Sequence, residues 1–127
     1  MKRALFVLLA LCITVGAVAT TKALPSQVRD VLERAIAGER AAVARYEVFA
    51  AKAVEEGYAG AAALFRAQAQ AERTHAERFA ALLQAHGLPV PPEASVSPKS
   101  GSTEENLRAA FYAETAERDG SYREAIE

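Results

Sequence analysis

Glu72-Arg73-Thr74-His75 sets a carboxylate and an imidazole three residues apart, which places both on one face of a helix. Phe65, Gln68, Glu72, His75, Phe79 and Leu82 recur at alternating steps of three and four, and this spacing predicts a single helical stripe. The flanks of the stripe are apolar, so Glu72 and His75 are expected to point toward a core rather than toward water. Burying a carboxylate without a partner costs several kcal/mol. A metal cation offsets that cost, and a Glu–His hydrogen bond in a wet helix seam is the plainer alternative.

A second carboxylate falls in the same kind of setting. Leu32, Ala35, Ile36, Glu39, Val43, Tyr46 and Ala50 form another three-four stripe with Glu39 at its middle. Arg40, Arg45 and Glu47 fall on other faces, as a solvated surface requires. An isolated core Glu is usually satisfied by an Arg or a Tyr. Two core carboxylates and a core imidazole on adjacent helices point instead to a shared ligand.

The punctuation of the chain predicts the rest of an all-α domain. Ala, Glu, Arg, Leu and Gln dominate, all good helix formers, and no strand pattern competes. Pro25-Ser26 opens a first helix over about 26–56, closed by Gly57. A second runs over about 58–86, stopped by Gly87 and Pro89. Residues 87–102 hold four prolines, two glycines and four serines, a linker long enough to cross a helical bundle. Ser102-Thr103-Glu104-Glu105 is a capping box that opens a third helix over about 103–127, which Gly120 weakens. Leu107, Ala110, Phe111, Glu114 and Glu117 continue as one face of it. A shift of 75 residues superposes Leu32 on Leu107, Ala35 on Ala110, Ile36 on Phe111 and Glu39 on Glu114. This weak repeat favours an inward Glu114.

The first residues read as a leader rather than as part of the fold. Lys2 and Arg3 precede an uncharged apolar run from Ala4 to Ala19, and Ala17-Val18-Ala19 supplies the small residues of a cleavage site. Residues 1–19 are therefore expected to be a signal peptide, residues 20–127 the domain, and the destination periplasmic or extracellular. A run of about 16 apolar residues is short for a membrane anchor of roughly 20. Cys12, the one cysteine, would leave with the leader, so no disulfide is expected. Cleavage removes two positive charges and no acid, taking the formal charge from −1 to −3. No basic patch remains, and nucleic acid is not an expected partner.

The chain resembles the rubrerythrin family of the ferritin-like superfamily. The matching runs are Ala37-Gly38-Glu39-Arg40-Ala41, Tyr46 with Phe49-Ala50-Ala51-Lys52-Ala53, Glu55-Glu56-Gly57-Tyr58, and Glu72-Arg73-Thr74-His75-Ala76-Glu77-Arg78. Asn106-Leu107-Arg108-Ala109-Ala110 with Glu114 and Glu117 resembles the family's third helix. The resemblance implies an antiparallel ferritin-like bundle around a di-iron centre. It implies Glu39, Glu72, His75, Glu114 and Glu117 as metal ligands, with no catalytic residue apart from them. Tyr46 and Tyr122 match tyrosines that hydrogen-bond ligand carboxylates. The implied activity is reduction of hydrogen peroxide, with dioxygen as the other candidate oxidant, and one iron exchanging His75 for Glu117 between redox states. Mixed carboxylate and imidazole donors also suit manganese or zinc.

The sequence departs from the family pattern in two ways. The family's fourth helix carries another Glu-x-x-His, which the 75-residue shift would place past Glu127, so that helix is expected to be missing or truncated. The rubredoxin module with its paired Cys-x-x-Cys motifs is absent from these residues, which implies a separate electron donor. A homodimer could complete the site, because two first hairpins supply two Glu39, two Glu72 and two His75. Three functions remain open: a peroxide-reducing enzyme completed by another chain or by further sequence, an iron-binding protein without turnover, and an exported helical interaction module with a degenerate site.

Overall fold

The computed structural model describes residues 23–121, and all regular structure among them is helical. Three α-helices, α1 (Ser26–Glu55), α2 (Ala59–Ala85) and α3 (Thr103–Ala116), are followed by a π-helical turn over Glu117–Ser121. The continuous α-helix expected past Ala116 thus gives way to the wider turn. The proposed leader and Tyr122 lie outside the described residues. No helix among those described is long and apolar enough to cross a membrane.

Both long helices end in the same way. Gly57 and Gly87 adopt φ of 82° and 70°, a left-handed conformation that glycine takes without steric cost. Tyr58 N–H reaches back to Ala53 O at 2.8 Å and Gly57 N–H to Val54 O at 3.1 Å. Leu88 N–H to Leu83 O at 3.0 Å and Gly87 N–H to Gln84 O at 2.9 Å repeat the pattern, a Schellman closure that satisfies the last carbonyls. The first closure folds α2 back along α1 as an antiparallel hairpin. The second releases the linker.

Two contacts fix where the linker delivers α3. Thr103 N–H donates to Glu56 Oε2 at 2.8 Å, so α3 begins beside the end of α1. Further along, the Tyr46 hydroxyl donates to the Glu114 carboxylate. The pairs 56/103 and 46/114 set an antiparallel register between α1 and α3. The linker must therefore travel the length of the hairpin, about 40 Å for the 27 residues of α2, as the crossover of ferritin-like bundles does. Arg40 Nη1 holds it midway by donating to Pro91 O at 2.7 Å. The capping box at the start of α3 is formed: Ser102 Oγ accepts from Glu105 N–H, and Glu105 Oε2 accepts from Ser102 N–H.

The core is divided in two. Ala42, Tyr46, Phe49, Ala50, Ala53, Ala62, Phe65 and Ala69 pack toward the Gly57 turn. Leu32, Ile36 and Leu83 pack toward the other end, with Phe79, Leu88 and Val90 against them.

Three expectations about helix faces need correction. On α2 the buried line is Ala62, Phe65, Ala69, Glu72, Ala76 and Leu83, so Leu83 is fully covered while Leu82 is exposed. Across so many turns, steps averaging slightly under 3.6 drift off the face, and the seam follows the neighbouring residue. On α3, Leu107 and Phe111 face outward, Phe111 at 68% exposure, whereas Thr103 and Asn106 are buried and Ala110 packs on the core. The cause is polar. Glu56 grips Thr103 N–H, and Asn106 bonds the backbone and side chain of Ser100-Gly101, which together set the rotation of the helix. On α1, Arg45 is not on a solvated face; it is half-buried with a fully covered Nε.

Candidate metal centre

Between the two halves of the core lie Glu39, Glu72 and His75. Glu39 follows Ile36 by three residues and precedes Tyr46 by seven, so the rotation that buries those two also buries the carboxylate. Glu72 follows Phe65 by seven and Ala69 by three on the facing helix, with the same result. Each Glu is only 4% exposed. His75 Nδ1 lies 3.0 Å from Glu72 Oε2 and 3.7 Å from Glu39 Oε1. One donor atom from each of the three falls within 4.8 Å of the others, a spacing a single cation can bridge.

The electrostatics of this cluster are those of a site short of positive charge. Burial pushes the Glu39 carboxyl up to about 9, and a hydrogen bond shared with Glu72 and the charges of Glu72, Glu117 and Glu114 push the same way. At neutral pH the metal-free protein therefore keeps a proton on Glu39, because a buried carboxyl beside other acids ionises poorly away from water. A divalent cation would take the place of that proton and balance both carboxylates. Hard carboxylate oxygens beside one imidazole nitrogen form a donor set that suits iron, manganese or zinc.

His75 differs from the expectation of a core imidazole. Its side chain is 42% exposed, so the cluster is closed by buried acids on one side and open to solvent on the other. Glu114 and Glu117 flank rather than join the three-residue cluster: both are half-buried, and both bear on Glu39 through their charge.

Tyr46 is wholly buried, with Phe65 stacked at 6.2 Å and Phe49 edge-on at 6.2 Å, and its hydroxyl spans to Glu114 on α3. Burial, then the bond and charge of Glu114, raise the phenol well above its ordinary range, while Arg45 pulls it down. The guanidinium carbon of Arg45 sits 5.3 Å from the Tyr46 ring centroid. Helical periodicity alone assigned Arg45 to solvent, and the only sequence signal for its role was its place beside a buried tyrosine.

Buried carboxylates on facing helices, with a Glu-x-x-His step on one and a crossover to a third carboxylate-bearing helix, define a ferritin-like metal-binding bundle. The family model described as Rubrerythrin matches residues 30–127. A rubrerythrin of Porphyromonas gingivalis (strain ATCC BAA-308 / W83) is 38% identical over 99 residues, covering 68% of this chain and 49% of the relative. The chain belongs to the rubrerythrin family, whose members bind iron, and it spans about half the length of that curated relative. No solved structure matches it.

Proposed function

We propose that this chain provides an exported di-iron site that reduces hydrogen peroxide with electrons from a separate donor. The observation that carries the reading is the convergence of Glu39, Glu72 and His75 within 4.8 Å, at a place where the fold otherwise buries two acids against each other. When bound, a pair of iron ions supplies the two electrons that, with two protons, convert peroxide to two waters.

The chain's own residues have distinct tasks. Glu72, held by His75 on one side and by Glu39 across the hairpin, would be the carboxylate shared by the bound metal. Glu39 would hold the cation as a carboxylate, giving up the proton that burial otherwise keeps on it. Tyr46 orients Glu114 from α3, which fixes where that carboxylate can reach. By analogy with the family, His75, at the solvent-facing edge, and Glu117, at the start of the π-helical turn, would be the two groups that exchange as ligands. The apolar clusters on either side keep bulk water from the buried acids.

A di-iron bundle draws one Glu from each of two helices and Glu-x-x-His from each of two others. The described residues supply Glu39, Glu114 and one Glu-x-x-His, and a second such pair comes from a further helix, in the same protein or in a second copy. Glu114 already stands beside Tyr46 and Glu39, which favours α3 of the same chain over a second α1 as the source of that carboxylate.

The test is peroxide consumption by the iron-loaded protein supplied with a chemical reductant. Many peroxides consumed per site, with iron retained, is the expected result. Consumption that stops after one equivalent per iron pair would replace this reading with iron sequestration, and failure to hold iron would replace it with an interaction module.

A further inference from the structure

Tyr46 places its hydroxyl on Glu114 only if its ring holds one orientation, and one of the groups against that ring is unlike its surroundings. Phe49 and Phe65 are apolar, as a buried ring requires. Arg45 is a cation, half-buried, with Nε wholly covered and without a hydrogen-bond partner. Other cations near the hairpin and α3 are bound to oxygen: Arg40 to Pro91 O, Arg73 to Glu47, Arg108 to Glu104 and Arg118 to Asp119. Arg45 instead bears on Tyr46, its guanidinium carbon 5.3 Å from the ring centroid, within cation–π range, and its side chain also acting on the hydroxyl through a hydrogen bond. Covering a guanidinium N–H without an acceptor is unfavourable, so the position is held by what the charge gains against Tyr46. A neutral side chain there would forgo that gain.

We propose that Arg45 is a positioning residue of the metal centre: its charge against the Tyr46 ring holds the hydroxyl on Glu114 and so fixes the α3 carboxylate. This rests on the metal-centre reading above. Lysine at this position would set a methylene where the unpartnered Nε now lies and an ammonium near the guanidinium carbon. Charge over the ring would survive and the covered N–H would disappear. Arg45→Lys is therefore expected to preserve the arrangement, and Arg45→Gln to lose it.

The experiment uses the full chain, wild type and both variants, with two readouts. The first is the proton resonance of the Tyr46 hydroxyl in metal-free protein, assigned by its loss in Tyr46→Phe. The second is cobalt(II) affinity, followed by visible absorption. In Arg45→Gln the hydroxyl resonance should vanish into solvent exchange and cobalt affinity should fall about tenfold, the lower end of what loss of an outer ligand partner costs. Arg45→Lys should keep the resonance and stay within about twofold in affinity, as a Lys ammonium can also make a cation–π contact. Should Arg45→Gln not fold, Arg45→Met takes its place with the same expectations.

The assignment would be overturned by a neutral variant indistinguishable from wild type, a lysine variant that fails as badly as the neutral one, or tighter cobalt binding on removing the charge. The last would mean that Arg45 acts on the metal only by repulsion. Failure of wild type to bind cobalt would instead defeat the metal-centre reading, while the hydroxyl resonance would still decide the role of Arg45. Absence of that resonance in wild type would defeat the positioning role.

Discussion

Replacing Glu39 by glutamine should make the metal-free protein more stable while depriving it of metal. Glu39 titrates at about 9 in the folded chain against 4.5 for a free carboxyl, so folding requires it to hold a proton that the unfolded chain gives up. A carboxyl raised in this way contributes its full stability below about pH 4.5 and loses it as pH climbs toward 9. At 1.36 kcal/mol per unit, the loss at pH 7 is about 3 kcal/mol. Glutamine has the shape and hydrogen-bonding capacity of the protonated acid and does not titrate. The stability of Glu39→Gln minus that of wild type should therefore be about 3 kcal/mol greater at pH 7 than at pH 4. The assay is urea denaturation followed by circular dichroism, with chelator present, at the two pH values. In thermal unfolding the same difference corresponds to more than about 10 °C for a domain this small. A difference that stays flat to within about 0.5 kcal/mol between the two pH values would show Glu39 ionised in the folded protein. The description of an acid pair awaiting a cation would then be wrong. Ferrous iron should reverse the order of stability, raising wild type by mass action and leaving the variant unchanged.

Other substitutions test the packing that positions the site. Leu83→Ala should cost about 2–5 kcal/mol and Leu82→Ala about 0.5 kcal/mol, and denaturation midpoints that rank them the other way would put the α2 register in error. Ser102→Ala should cost about 1 kcal/mol by opening the capping box of α3, and an unchanged midpoint would mean that Glu56 alone holds the helix start. Sedimentation with and without ferrous iron should show association on metal loading if a second copy completes the ligand set. A monomer that binds two irons tightly would place the remaining ligands in the same protein.

Much of this structure could be read from the sequence, and the failures share a cause. Gly57 and Gly87 marked the helix ends because only glycine enters a left-handed closure freely, and both sit at positive φ. Glu39 and Glu72 were legible because a carboxylate in the middle of a long apolar stripe has nowhere else to point. The stripe on α3 is short, and polar anchors set its rotation: Glu56 on Thr103 N–H, and Asn106 on the linker. Such long-range bonds leave no periodic trace, so the stripe predicts Leu107 and Phe111 inward whereas they face out. Arg45 was misplaced for a related reason. Its burial depends on the tertiary position of the Tyr46 ring and on the long apolar stem that lets a guanidinium lie along a covered surface. Periodicity reports which face is apolar, not which cation a buried ring will recruit.

The central claim is that Glu72 holds metal jointly with Glu39 and His75. Its most direct test is the iron content of wild type and Glu72→Ala after anaerobic loading with ferrous iron and removal of the excess. Circular dichroism should first confirm that the variant keeps its helices. Wild type should retain iron and Glu72→Ala should lose nearly all of it, because Glu72 is the carboxylate that lies against both His75 and Glu39. Equal iron in the two proteins would contradict the account.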